Sequence, residues 1–151
     1  MKPRKLIKYN MMEARKLNVK SKTENLSEIR DFVSNAAKDF GFNQSAIENI
    51  ILAVDEACTN IIKHAYKYNA EGEIVITIHF KDSKFSIEIK DYGNTFEPDS
   101  VPAPDLKKYY EQHRVGGLGM YLMKTLMDEV QYDSVPGKYN KVRLSKKLMH
   151  N

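Results

Sequence analysis

The chain reads as an α+β two-layer sandwich, with a mixed, mostly antiparallel sheet covered on one face by three helices. Three observations carry this. Residues 25–40 and 44–66 repeat apolar side chains at three-and-four spacing, which predicts two consecutive helices. Residues 73–80 (EIVITIHF) and 84–90 (KFSIEIK) alternate strictly and flank Lys81-Asp82-Ser83, which predicts a hairpin. Residues 130–135 and 141–148 flank Pro136-Gly137-Lys138-Tyr139-Asn140 and predict a second hairpin. Elements with one apolar face each bury those faces by stacking in two layers.

Taken in order, residues 1–14 form a basic N-terminal extension, either an added strand or a disordered arm, and 15–151 form one domain. A short strand is expected at 16–20. The first helix carries Leu26, Ile29, Val33, Ala36, Ala37 and Phe40 on its stripe, and Gly41 stops it. The second carries Ile47, Ile50, Ile51, Val54, Ile61 and Ala65. Asn69-Ala70-Glu71-Gly72 is a turn leading into the first hairpin. The segment 94–115 holds Pro98, Pro102 and Pro104, with a short helix expected near Tyr109 and Tyr110. A connection of that length inside a compact domain is usually a functional loop or lid. A third helix is expected from the glycines at 116–119 to about 128, with Met120, Met123 and Met127 packing inwards.

Composition narrows the function classes. The 151 residues suffice for one domain with a sizeable core. No apolar run reaches the roughly 20 residues of a membrane helix, and the basic start is not followed by the apolar stretch of a secretory signal. The single Cys58 excludes an internal disulfide framework and suits a reducing cytoplasm. The net charge of +4 gathers at the chain ends without interleaved aromatics, so direct nucleic-acid binding is not expected.

Three segments carry chemistry. In Glu56-Ala57-Cys58-Thr59-Asn60, a carboxylate and a carboxamide lie four residues apart on the second helix. At about 100° per residue they are roughly 40° apart, and Val54 of the core stripe is roughly 160° from Glu56. The polar pair therefore faces away from the core. A carboxylate can take a proton, and a carboxamide oxygen can ligate a hard cation such as Mg²⁺. Asp91-Tyr92-Gly93 stands at a strand end, and Gly116-Gly117-Leu118-Gly119 opens a helix whose amides suit phosphates. Together these parts describe an ATP site.

Three motifs in this order resemble the ATP-binding domain of the GHKL superfamily (gyrase, heat-shock chaperone, histidine kinase and MutL). They are Ala53-Val54-Asp55-Glu56-Ala57-Cys58-Thr59-Asn60 with His64-Ala65-Tyr66, then Asp91-Tyr92-Gly93, then Arg114-Val115-Gly116-Gly117-Leu118-Gly119. Within that superfamily, whose fold is also called the Bergerat ATPase fold, the chain resembles the RsbW-like anti-sigma-factor serine kinases over about 16–148. The resemblance implies Glu56 as general base, with Arg114 reaching the γ-phosphate. It implies Asn60 as the ligand of Mg²⁺, and Asp91 as acceptor of the adenine amino group. Gly93 would run under the base, while Gly116, Gly117, Leu118 and Gly119 would bind phosphate. One departure is Thr95, where the family's second glycine usually stands.

The implied activity is ATP- and Mg²⁺-dependent phosphorylation of a serine on an anti-anti-sigma (STAS-type) protein, with a sigma factor as second partner and a possible homodimer. Two other readings stay open: a nucleotide-sensing regulatory module without kinase activity, and the ATPase subunit of a split histidine kinase. His64 lies on the site helix without a phosphoacceptor helical pair before the domain, so it is not expected to accept phosphate.

Overall fold

The computed structural model describes residues 13–95, 121 and 123–149. Strand β1 (Glu13–Lys20) is followed by a 3₁₀ turn (Thr23–Asn25), helix α1 (Leu26–Asp39) and helix α2 (Gln44–Asn60). A π turn (Ile61–Ala65) extends α2, and then come β2 (Glu73–Lys81), β3 (Lys84–Asp91), β4 (Glu129–Val135) and β5 (Tyr139–Lys147). Strand β1 begins at Glu13, inside the expected extension and earlier than the strand expected at 16–20. Residues 121 and 123–126 are helical, in keeping with a third helix after the glycines, while 127 and 128 have already left it. The proline-rich segment from 96, Arg114 and the glycines at 116–119 lie outside the described residues.

The sheet order is β1-β2-β3-β5-β4, and every pairing among the described residues is antiparallel. A mixed sheet was the expectation. The crossover from Asp91 to Glu129 does make β4 run in the direction of β3, but β5 lies between them, so the parallel pair never forms a ladder.

Local chemistry sets the helix ends. Helix α1 closes in a Schellman motif: Phe42 N donates to Ala37 O and Gly41 N to Lys38 O, both at 3.1 Å, with Gly41 at φ +105°. Two residues on, the Asn43 side chain accepts from Ala46 N at 2.9 Å and caps α2.

The core lies between this helical layer and one sheet face. Its members include Ile29, Val33, Ile50 and Val54 from the helices and Ile74, Ile76, Ile87, Ile89 and Leu144 from the strands. Phe40 stacks on Phe80 with ring centroids 4.3 Å apart, anchoring the end of α1 to the sheet. Met123 and Met127 are buried in the same core, as expected. Among the described residues, no helix is long and apolar enough to cross a membrane.

Candidate functional site

The site is built where the C-terminal end of α2 meets the end of β3. Ala53, Val54, Ala57 and Cys58 take the buried side of α2, and this leaves Glu56 and Asn60 half-buried on the other. The polar pair thus stands where helical spacing put it. Burial pushes the Glu56 carboxyl above its ordinary value, the Asp55 carboxylate beside it adds to the rise, and Lys63 partly opposes both. Arg30 of α1 pairs with Asp55 at 2.8 Å, joining the two helices just behind this point.

Asn60 and Asp91 line one small, half-open pocket, together with Ala57, Ile61, Tyr132, Asn140 and Val142. Ala57, Ile61 and Val142 supply apolar walls of the kind that holds a flat ring, with a few polar groups to orient it. Asp91 sits on the core-facing side of β3, following Phe85, Ile87 and Ile89 in the alternation, and is only 2 % exposed. Its Oδ1 accepts from Gly93 N and from Asn140 Nδ2, each at 2.9 Å. Both bonds fall on Oδ1, and among the described residues Oδ2 accepts none, which leaves it as an acceptor at the pocket. Burial raises the Asp91 carboxyl above the usual aspartate range, and the two hydrogen bonds pull the other way.

The strap after Asp91 is fastened to the π turn. Within that turn Tyr66 N donates to Ile61 O at 3.0 Å, five residues back, which widens the helix by one residue. The widened turn frees the Ala65 carbonyl, which accepts from Asn94 N at 2.7 Å. The Tyr66 hydroxyl accepts from Tyr92 N at 2.8 Å and donates to Glu73 O at 2.6 Å. Gly93 lies so close that a Cβ there would stand 2.5 Å from Ala65 O and 2.6 Å from Ala65 C. Glycine is thus required by contact with backbone that cannot swing aside.

Of the sequence-derived site residues, Asn60 and Asp91 line one pocket, Gly93 packs on the π turn beside it, and Glu56 sits one turn before Asn60. Arg114, Gly116, Gly117, Leu118 and Gly119 are outside the described residues. His64 is exposed on the π turn. Cys58 is buried, and burial drives its thiol well above the ordinary range, so it is inert to ionisation. Sequence reading missed Asn140 and the Tyr66 hydroxyl. A signal for Asn140 did exist: it alternates with Val142 and Leu144, which places a poor strand former on a core-facing position.

Comparison with known proteins agrees with this geometry. Residues 19–146 match the histidine kinase-like ATPase domain. The serine-protein kinase RsbW of Bacillus subtilis is 36% identical over 126 residues, covering 80% of this chain and 78% of that protein. RsbW of Listeria innocua is 35% identical over 119 residues, 76% of each chain. Among solved structures, the RsbU and RsbW domains of a Mycobacterium tuberculosis protein superpose with a TM-score of 0.63 at 16% identity, over 89% of this chain and 32% of that one. SiaB in the SiaB–SiaC complex of Pseudomonas aeruginosa superposes with a TM-score of 0.62 at 14% identity, over 87% and 88% of the two chains. At those identities the structures show a shared fold. The fold, the pocket and the sequence relatives agree: the chain belongs to the histidine kinase-like ATPase domain family, with the RsbW serine-protein kinases as its relatives.

Proposed function

We propose that this chain is a Mg²⁺·ATP-dependent protein-serine kinase and anti-sigma factor working in the cytoplasm within a partner-switching system. Its substrate is a serine on an anti-anti-sigma protein of the STAS type, its second partner a sigma factor, and it works as a homodimer. The observation that carries the reading is the convergence of a buried carboxylate, Asp91, and a carboxamide, Asn60, on one pocket. The half-buried Glu56 lies one turn before Asn60 on the same helix. The RsbW relatives supply the substrate class.

The donor set fits the groups implied. Asp91 offers an acceptor to the exocyclic amine of adenine, and the apolar walls suit its ring. No cluster of three or more His, Cys, Asp or Glu among the described residues could hold a metal by itself. Under this reading Mg²⁺ would be held by one side chain, Asn60, together with phosphate oxygens and water. When bound, the ion would offset the charge that develops on the phosphates during transfer, with Asn60 as its side-chain ligand.

The remaining chemistry belongs to the chain. Asp91 and the strap orient the base, and α2 presents Asn60 and Glu56 toward the phosphates and the incoming serine. As the serine Oγ forms its bond to the γ-phosphorus, Glu56 takes the hydroxyl proton. The bond from that phosphorus to the β–γ bridging oxygen breaks, and ADP leaves. The raised Glu56 carboxyl makes it a better proton acceptor near neutral pH than an ordinary surface glutamate. Arg114 and the amides of Gly116, Gly117, Leu118 and Gly119 complete the phosphate half.

Calorimetric titration with ATP and ADP, with and without Mg²⁺, tests the site. Asn60→Ala is expected to weaken Mg²⁺-dependent ATP affinity by about tenfold or more. Glu56→Ala is expected to bind ATP nearly as wild type while transfer to a serine partner falls by about 10²–10⁴-fold. Transfer that persists in Glu56→Ala would remove the base assignment, and wild type that never phosphorylates a partner would leave a nucleotide-binding regulator.

A further inference from the structure

Helix α2 carries one line of side chains at four-residue spacing: Glu48, Leu52, Glu56 and Asn60. Glu56 and Asn60 are half-buried at the site, Glu48 is exposed, and Leu52 is 42 % exposed. Ile51 beside it packs on the core, whereas Leu52 stays outside it. Of the other large apolar side chains exposed among the described residues, Tyr68 and Tyr92 carry hydroxyls and Met149 lies near the chain end. A single exposed leucine is ordinary on a protein surface. This one stands one turn, about 6 Å along the helix axis, from the residue read as the base.

Reach decides what covers it. The serine hydroxyl of a protein substrate must come within about 3 Å of the Glu56 carboxyl to hand over its proton. A serine held there by a folded partner brings its neighbours over the next turn of α2. The side chain two residues along an extended segment, about 6–7 Å away, falls on Leu52, and so does one a turn along a helix. An aliphatic side chain there removes the rest of Leu52 from water, whereas a charged one would be desolvated against it without a partner.

Charge sets the next contact. Arg30 of α1 already meets Asp55 at 2.8 Å, so the carboxylate beside the line is neutralised. Glu48, one turn further on, accepts from Gln44 Nε2 at 3.4 Å and meets no cation among the described residues. Its carboxylate is complementary to a cation on whatever lies across Leu52.

We infer that Leu52 and Glu48 form the substrate-docking edge of the site: they select a serine-bearing partner that presents an aliphatic side chain to Leu52 and a Lys or Arg to Glu48. Leu52 is then a specificity-determining residue that touches the protein substrate and not the nucleotide. This inference rests on the protein-serine kinase reading above, with Glu56 as the point at which the serine arrives.

The test is initial-rate phosphorylation of purified STAS-type anti-anti-sigma proteins by the full chain with Mg²⁺·ATP. The protein phosphorylated fastest then serves as substrate for wild type, Leu52→Ala, Leu52→Lys and Glu48→Lys. Alanine and lysine are both good helix formers, so each variant keeps α2. Leu52→Ala should raise the KM for the partner by about three- to tenfold, the part of a leucine's transfer free energy that its exposed surface still carries. Its kcat and its calorimetric ATP affinity should be unchanged. Leu52→Lys should raise the KM further, since it sets a cation against the partner's own. Glu48→Lys should raise it at low salt, and that rise should fade toward about 0.5 M salt while the Leu52→Ala effect persists. Changing the partner's aliphatic side chain beside its serine to alanine should add nothing to Leu52→Ala, as expected of two side chains in contact. Folded variants with the wild-type KM would overturn the inference alone. A Leu52→Ala chain that sediments as monomer where wild type is a dimer, at unchanged KM, would assign this face to a second copy and overturn it too. A wild type that binds ATP yet transfers to no serine would overturn the kinase reading with it.

Discussion

Asp91 shows how one side chain can cost stability and supply function. Its folded-state carboxyl is raised, so its charged form is disfavoured by folding. A carboxyl raised in this way contributes most below its unfolded value and loses that contribution as pH climbs through the folded one. At neutral pH the charge is therefore held at a cost. Asp91→Asn keeps Oδ1 as acceptor for Gly93 N and Asn140 Nδ2 and turns the open Oδ2 into a donor. The expected outcome is a thermal midpoint equal to or above wild type, with ATP affinity lowered by about 100-fold because two donors now face each other. Differential scanning calorimetry and nucleotide titration on the same sample check both halves, and a midpoint well below wild type would contradict the account of the buried charge. At this scale the sequence was readable wherever residues act through local spacing. Glu56 and Asn60 are four apart on one helix and could be placed by periodicity. Asn140 and Asp91 are 49 residues apart, and their bond exists only because β5 pairs with β3 in one register.

Between α2 and β3 the π turn connects the half of the site that holds the base with the half that carries Glu56 and Asn60. Periodicity predicted one helix from 44 to 66, and it did locate the apolar stripe. It could not show that the last turn widens after Asn60, because a single added residue leaves Ile61, Ile62 and Ala65 all buried. The consequences are local and testable. Tyr66→Phe keeps the ring but removes the hydroxyl shared by Tyr92 N and Glu73 O. Nucleotide affinity should drop by about five- to tenfold, as expected for a lost pair of neutral hydrogen bonds. The rate at saturating ATP should be retained, since Glu56 and Asn60 are untouched. Faster hydrogen exchange at the Tyr92 amide would locate the effect in the strap, whereas a fall in kcat with unchanged KM would place Tyr66 elsewhere. Gly93→Ala should be harsher. The added methyl meets Ala65 backbone, so the strap must leave the π turn. ATP affinity should fall by more than the Tyr66→Phe change, with the core largely intact by far-ultraviolet circular dichroism.

For the whole molecule, alternation and turn chemistry predicted two hairpins and a helical layer, and these are present. Strand order was beyond local pattern, since the placing of β5 between β3 and β4 depends on the crossover from Asp91 to Glu129. The helix-free sheet face carries a charge network centred on Glu88, which meets Lys141 at 2.9 Å, His79 at 3.7 Å and Arg143 at 4.0 Å. Burial would raise the Glu88 carboxyl, but the Lys141 hydrogen bond and the surrounding cations outweigh it and hold it below its ordinary value. Its contribution is therefore present above the unfolded glutamate value and is lost as pH falls through the folded one. Asp91 and Glu56 act in the opposite sense, because their raised carboxyls relieve a cost as they protonate. Mild acidification from neutral pH should hence lower stability little, and the loss should come only once Glu88 titrates. Glu88→Gln isolates that lower limb. The variant should be less stable than wild type by about 1 kcal/mol at pH 7, the scale of one partly buried charged hydrogen bond. The difference should shrink as pH falls below the ordinary glutamate range and through the lowered folded value of Glu88. Urea denaturation at pH 7, 5 and 3 reads this directly. A gap that persists unchanged at the lowest pH would mean that Glu88 stabilises the sheet through packing, with its charge contributing nothing.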